Sequence, residues 1–258
     1  MCSSDLLQEA IREIQVMAGL TGATPQLRIG RPAASLDAPS PFAGRGFKAI
    51  RGGNDRAHQG LVAAPGVAPR ALAIGVTSAD FRDGKTTLSI SLASCLAHDF
   101  NAQVMLVDAD FHTHSIGKEY GLEDRPGLSD VLAGSVTLPA VANRFRQAPL
   151  TVVTAGRARM DPAWMARSEQ LVTTIDQMKK MNGFVVLDLP ATLKSMNAPI
   201  LASRCDGVIV VVRAGQTSHR DLERVMELLQ DANVIGVVLN RQRSSVPAWV
   251  DRLLALPR

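Results

Sequence analysis

From Ala71 onward, short apolar runs alternate with longer stretches of helical period. The runs at 71–77, 103–108, 150–155, 184–188, 207–212 and 233–239 are rich in Val, Ile and Leu, and they read as buried parallel strands. The stretches at 85–98, 128–134, 167–181, 195–204 and 218–231 carry helix patterns. Strands alternating with helices of this length predict an α/β fold, a doubly wound and mostly parallel sheet with helices on both faces. No internal repeat interrupts the pattern.

Before Ala71 the pattern is different. Leu6, Leu7, Ala10, Ile11, Ile14, Met17 and Ala18 form one stripe of an amphipathic helix over 4–18, with Ser3, Ser4 and Asp5 as cap candidates and Gly19 as its stop. Such a helix either docks on its own domain or serves a partner. Residues 19–70 hold nine Gly and six Pro in 52 positions, the composition of an irregular, flexible linker. Phe47 and Ile50 anchor one island of order between Phe42 and Asn54. The expected organisation is a helix at 1–18, a basic Pro/Gly-rich linker at 19–70 and the α/β domain at 71–258.

Charge and composition narrow the picture. The net charge of the 258 residues is +4. Residues 25–70 hold seven basic and two acidic side chains, while the 188 residues after them hold twenty and nineteen. The excess therefore sits on the linker, which argues against a nucleic-acid face on the folded domain. Cys2, Cys95 and Cys205 are isolated and form no CxxC, which speaks against a structural zinc and fits a reducing cytoplasm. No apolar run is long enough to span a bilayer, and Asp5, Glu9 and Glu13 occupy the place of a signal peptide's basic and apolar regions.

The chemistry gathers at 71–90. A buried strand is followed by a loop, then Gly84-Lys85-Thr86-Thr87, then a helix. That is the layout of a phosphate-binding P-loop. Loop amides and the helix N-terminus face phosphate oxygens, Lys85 reaches the β- and γ-phosphates, and the Thr86 hydroxyl ligates Mg²⁺. Ala79 stands where the pattern has its first Gly, so the loop must turn with negative φ there. The strand ending at Val107 runs into Asp108-Ala109-Asp110, and the strand ending at Leu187 runs into Asp188. Carboxylates beyond the carboxyl ends of strands lie where α/β sheets place ligands, and beside a P-loop they hold Mg²⁺ or accept a proton.

The motifs VTSADFRDGKTT, VMLVDAD, FVVLDLP, CDGVIVVVRAG and IGVVLNR, in this order, resemble the bacterial tyrosine kinases. These are cytoplasmic ATP-binding proteins or domains that partner polysaccharide co-polymerases. They sit within the deviant Walker (SIMIBI) class of P-loop NTPases, beside the cell-division and plasmid-partition ATPases. The resemblance covers about residues 42–241. It implies that Asp80, Arg82, Asp83, Gly84, Lys85, Thr86 and Thr87 bind nucleotide, with Arg213 at the base-binding edge and Asn240 on adenine. Lys85, Asp108 and Asp110 are implied in catalysis, and Thr86, Asp108 and Asp188 as Mg²⁺ ligands. The implied cofactors are ATP and Mg²⁺. The implied partner is a Wzz-type membrane co-polymerase, with homo-oligomers and peripheral contact with the inner membrane allowed.

The departures point the same way. Asp80 stands where the partition ATPases carry a signature lysine, which disfavours that rival, and a nucleotide-binding module without turnover is the third reading. His112 and Thr113 replace an arginine pair, and Arg45, Lys48 and Arg51 occupy a Glu-x-x-Arg-x-x-Arg interface motif with its acid reversed in charge. The tail SSVPAWVDRLLALPR has no tyrosine, and Tyr120 is the sole tyrosine of the 258 residues. ATP hydrolysis without tail autophosphorylation is therefore expected. Tyr120 is expected to pack, and Trp164 and Trp249 to anchor against the domain. His112 and His114 lack a third ligand for a metal site.

Overall fold

The computed structural model describes residues 20–21, 62–63, 71–98, 102–146, 148–158 and 160–241. The expected N-terminal helix, the island at 42–54 and the tail after 241 lie outside the described residues. Within 19–70, two short strands pair antiparallel: β1 (Leu20–Thr21) and β2 (Val62–Ala63).

The remaining elements follow in chain order. They are β3 (Leu72–Ser78), α1 (Lys85–His98), β4 (Val104–Asp108), α2 (Ser115–Tyr120), α3 (Leu128–Leu132), α4 (Leu138–Val141), β5 (Asn143–Arg144), β6 (Leu150–Val153), α5 (Pro162–Arg167), α6 (Glu169–Met181), β7 (Phe184–Asp188), α7 (Asn197–Ala202), β8 (Gly207–Arg213), α8 (His219–Leu228) and β9 (Val234–Asn240). The sheet order is β5-β6-β4-β7-β3-β8-β9, parallel except for β5. All six predicted strands are present with ends shifted by at most two residues. The short pieces α2, α4, α5 and β5 carry too few residues for a period to show. Ser168 divides the predicted helix 167–181, because its hydroxyl accepts from the Leu171 amide and caps α6.

Alternation along the strands fills two cores. Leu72, Ile74, Val76, Val104, Leu106 and Val186 face α1, where Ile90, Leu92, Ala93 and Leu96 meet them. Ala73, Met105, Val107, Val185, Leu187 and Val210 face the other way, onto α3 to α8. Both faces are thus covered, as a parallel sheet requires.

Strand β3 is central, between β7 and β8. Register places Val76 beside Asp188 and Asp108 beside Asp188, so the carboxyl ends of β3, β7 and β4 finish level with one another. Since β3 and β4 are separated by β7, the chain leaves this edge at a crossover, where open α/β sheets form their binding crevice.

The loop after β7 is tied to the start of the P-loop. Thr77 Oγ1 donates to the Pro190 carbonyl at 2.7 Å and lies 3.0 Å from Thr192 Oγ1. The Thr192 and Leu193 amides donate to the carbonyls of Ser78 and Ala79. Thr77→Val keeps the shape and removes the buried hydroxyl. It is expected to destabilise the fold by about 1–3 kcal/mol, read from urea unfolding, because the buried Pro190 carbonyl loses its partner. An unchanged midpoint would show that the strap carries no stability.

Candidate nucleotide site

The loop from Ala79 to Gly84 turns through two left-handed residues, Arg82 (φ 63°) and Gly84 (φ 104°). Ala79 is not among the left-handed residues, as the sequence requires. Asp83 braces the loop from inside, its Oδ2 accepting the Asp80 amide at 2.8 Å. Among the described residues, the amides of Arg82, Asp83, Gly84, Lys85, Thr86 and Thr87 meet no acceptor. Six successive free amides at the N-terminus of a fourteen-residue helix form a cradle that suits phosphate oxygens.

Lys85 is buried at the mouth of this cradle. Its Nζ donates to Asp110 Oδ2 at 2.9 Å and lies 3.8 Å from Asp188 Oδ2. Burial alone would lower its pKa, but the charges of Asp188 and Asp110 outweigh burial, and the net direction is upward. Asp188 accepts from Thr86 Oγ1 at 2.7 Å and from Ser89 Oγ at 3.0 Å. Burial raises its pKa against the opposing pull of Lys85 and the two hydroxyls. Ser89 was not singled out by sequence, although it lies one helical turn from Thr86 and therefore on the same face of α1.

The two aspartates of the second motif occupy different environments. Asp108 is fully buried and each of its oxygens accepts an amide, Oδ1 from Asp110 at 3.1 Å and Oδ2 from Ile116 at 2.9 Å. Burial and the neighbouring Asp188 charge push its pKa up to about 7, against the pull of those amides. For Asp110, burial pushes upward, yet the Lys85 charge and the hydrogen bonds from Lys85, Thr113 and His112 outweigh it, and its carboxyl stays below the usual range. The site thus holds one ionised carboxylate on the lysine and one that takes up a proton near neutrality.

The peripheral residues are arranged around this centre. Asp80 Oδ2 pairs with Lys194 at 3.0 Å, an exposed pair that adds little stability. Asn240 lies opposite Arg213 in the β8–β9 register, and its Nδ2 donates to the Asp83 carbonyl at 2.7 Å. The charges of Arg213 and Arg241 pull down on the Asp83 pKa, but burial prevails and the net direction is upward. A cavity of about 290 Å³ opens beside the second motif, lined by Phe111, His114, Ser129, Arg157, Met160 and Met165 among others.

Tyr120 packs edge-on against Phe145 with ring centroids 5.3 Å apart, and burial drives its phenol well above the ordinary pKa. Trp164 does not anchor the domain as expected. It is 48% exposed, because α5 turns Met165 and Ala166 inward instead.

Because the Asp108 pKa is raised in the folded chain, its contribution to stability is fully present below the ordinary value of 3.8 and is lost as pH rises through about 7. Asn at 108 mimics the neutral carboxyl and does not titrate. From about pH 5 to about pH 8 in magnesium-free buffer, wild type should lose more stability than Asp108→Asn, by about 2–3 kcal/mol. Parallel urea-unfolding profiles would refute the shift.

Comparison with known proteins agrees with this geometry. The sequence profile of the AAA domain family matches residues 82–241. Tyrosine-protein kinase ptk of Acinetobacter johnsonii is 30% identical over 166 residues, 63% of this chain and 22% of that protein. The chain therefore spans about a fifth of that relative's length. Tyrosine-protein kinase CpsD of Streptococcus agalactiae is 26% identical over 181 residues, 69% of this chain and 79% of that protein. The crystal structure of the VpsO kinase domain superposes with a TM-score of 0.63 at 27% identity, covering 67% of this chain and 86% of that one. A level row of strand-end carboxylates around a P-loop lysine, on a chain matched by these relatives, places it in the AAA domain family of P-loop ATPases, among proteins similar to the bacterial tyrosine kinases.

Proposed function

We propose that this chain binds Mg²⁺–ATP and transfers its γ-phosphoryl group, to water in the first instance, as an ATPase of the bacterial tyrosine kinase type. The observation that carries this reading is the cradle of six free amides closed by the Lys85–Asp110 pair. The amides and the lysine fit a polyphosphate. Thr86 and Asp188, already hydrogen-bonded to one another, are the residues that would hold Mg²⁺, with Asp108 behind them. Among the described residues no three His, Cys, Asp or Glu side chains converge as a metal cage, so nucleotide oxygens and water would complete the coordination. The ion would neutralise charge that develops on the transferred group.

Asp110 is the residue placed to orient and deprotonate the attacking hydroxyl, since it stays ionised and is held by Lys85. The cavity beside Phe111 gives an acceptor a place to enter next to it. The relatives are named tyrosine-protein kinases, and the resemblance of the motifs extends the reading to exopolysaccharide or capsule production beside a membrane co-polymerase. Among the described residues no helix is long and apolar enough to cross a membrane. A positioning ATPase of the partition type is disfavoured by Asp80, which is engaged with Lys194.

Two measurements test the reading. Lys85→Met should weaken Mg²⁺–ATP binding by at least about 100-fold, whereas Asp110→Asn should bind nearly as wild type and turn over at least about tenfold more slowly. Calorimetric titration with a phosphate-release assay decides it. A folded Lys85→Met chain with normal affinity would sink the P-loop assignment, and normal turnover in Asp110→Asn would remove its role as base.

The second concerns the acceptor. The Tyr120 hydroxyl is buried with no hydrogen-bond partner among the described residues. Incubation with γ-labelled ATP should release phosphate without labelling Tyr120. Label that survives denaturing gel and disappears in Tyr120→Phe would restore self-phosphorylation.

A further inference from the structure

Ser89 is a polar residue at a position of α1 that lies wholly inside the fold. It has no exposed surface, and Ile90, Leu92 and Ala93 after it are buried too. A hydroxyl there must find a partner. Its Oγ stands 3.0 Å from two acceptors, the Lys85 carbonyl four residues back and Asp188 Oδ1 at the end of β7. The first is the local bond that serine makes within helices. The second joins residues 99 apart in sequence. Asp188 is thereby held at both oxygens, Oδ2 accepting from Thr86 Oγ1 at 2.7 Å and Oδ1 from Ser89. Thr86 and Ser89 are three apart on α1, so one face of the helix grips the whole carboxylate. Two donors on two oxygens suit the ionised form, in which both oxygens accept. Lys85 Nζ lies 3.8 Å from Oδ2, beyond a hydrogen bond.

We infer that Ser89 is a positioning residue for the metal site, fixing the rotation of the Asp188 carboxylate so that Oδ2 stays on Thr86. The last torsion of an aspartate side chain is broad, so a single hydrogen bond leaves the carboxylate free to swing. Thr86 presents an oxygen lone pair to a cation while its proton rests on Oδ2, and this needs Oδ2 to keep its place. Without the Ser89 hydroxyl, the ammonium of Lys85 would draw Oδ2 off Thr86 and close the 3.8 Å gap.

This inference rests on the reading of Thr86 and Asp188 as the residues that would hold Mg²⁺, and wild type separates the two. The probe is ADP, titrated calorimetrically in EDTA and in excess Mg²⁺ into wild type, Ser89→Ala, Asp188→Ala and the double variant. Alanine favours helix, so Ser89→Ala keeps α1. In Ser89→Ala, affinity for Mg²⁺–ADP should fall about tenfold while affinity for ADP in EDTA stays at the wild-type value. On top of Asp188→Ala the same substitution should cost nothing more, because no carboxylate is left to hold. An equal loss with and without the ion, or the same loss in both backgrounds, would assign Ser89 to its local bond with the Lys85 carbonyl and overturn the inference. Wild-type affinity for Mg²⁺–ADP in Ser89→Ala would overturn it as well.

A ligand-free crystal structure of Ser89→Ala supplies a readout that needs neither ion nor nucleotide. Asp188 Oδ2 should stand closer to Lys85 Nζ than 3.8 Å and farther from Thr86 Oγ1 than 2.7 Å. An Asp188 carboxylate unmoved in that structure would overturn the inference whatever the titrations show. Wild type that binds no ADP, or binds it equally with and without Mg²⁺, would remove the metal reading itself, and the inference would fall with it.

Discussion

One lysine faces three buried carboxylates at the edge of this sheet, and the rest of the site follows from that imbalance. Lys85 neutralises Asp110 directly and Asp188 at a longer distance, and Asp108 is left to two backbone amides and to a raised pKa. Three ionised carboxylates against one ammonium would leave two uncompensated negative charges in a buried cluster, an expensive arrangement. The fold eases it by protonation at Asp108 and by hydroxyl donors on Asp188 from Thr86 and Ser89. An added divalent cation relieves the same excess.

The sheet makes the imbalance unavoidable. Parallel strands in register bring their ends to one level, so aspartates that close β4 and β7 must lie side by side, and the P-loop leaving β3 must arrive next to them. Apolar residues cover both faces of these strands, which denies the carboxylates any exit to water along the sheet. The strap from Thr77 to Pro190 and Thr192 then fixes the loop after β7 against the loop after β3. Two segments more than a hundred residues apart in sequence are thereby hydrogen-bonded to one another.

Much of this was legible in the sequence, for a physical reason in each case. Buried parallel strands advertise themselves as continuous apolar runs, and all six appeared where the runs are. Gly-Lys-Thr after such a run, and Asp at the end of two others, are the residues that the fold brings together. What stayed hidden depends on side-chain direction. Nothing in the string DAD separates a carboxylate held by amides from one held by a lysine, because the distinction lies in whose N–H points at it. The hydrogen bond from the Asn of VLNR to the Asp83 carbonyl depends on close packing against Gly84, which the string does not show. Trp164 was expected inward, but a six-residue helix starting at Pro162 has too little length to show which face is buried.

Helix α1 carries the cradle at its first turn and, along its length, supplies most of the helical cover for one face of the sheet. A ligand held at that first turn and absent from the unfolded chain therefore acts on the whole domain. By mass action, ligand at about a hundred times its dissociation constant adds about 2.7 kcal/mol to the free energy of unfolding. That is a large share of the few kcal/mol by which a domain of this kind is stable. In a cell, the lifetime of this chain against proteolysis would then follow the supply of such a ligand, and its abundance would rise and fall with that supply.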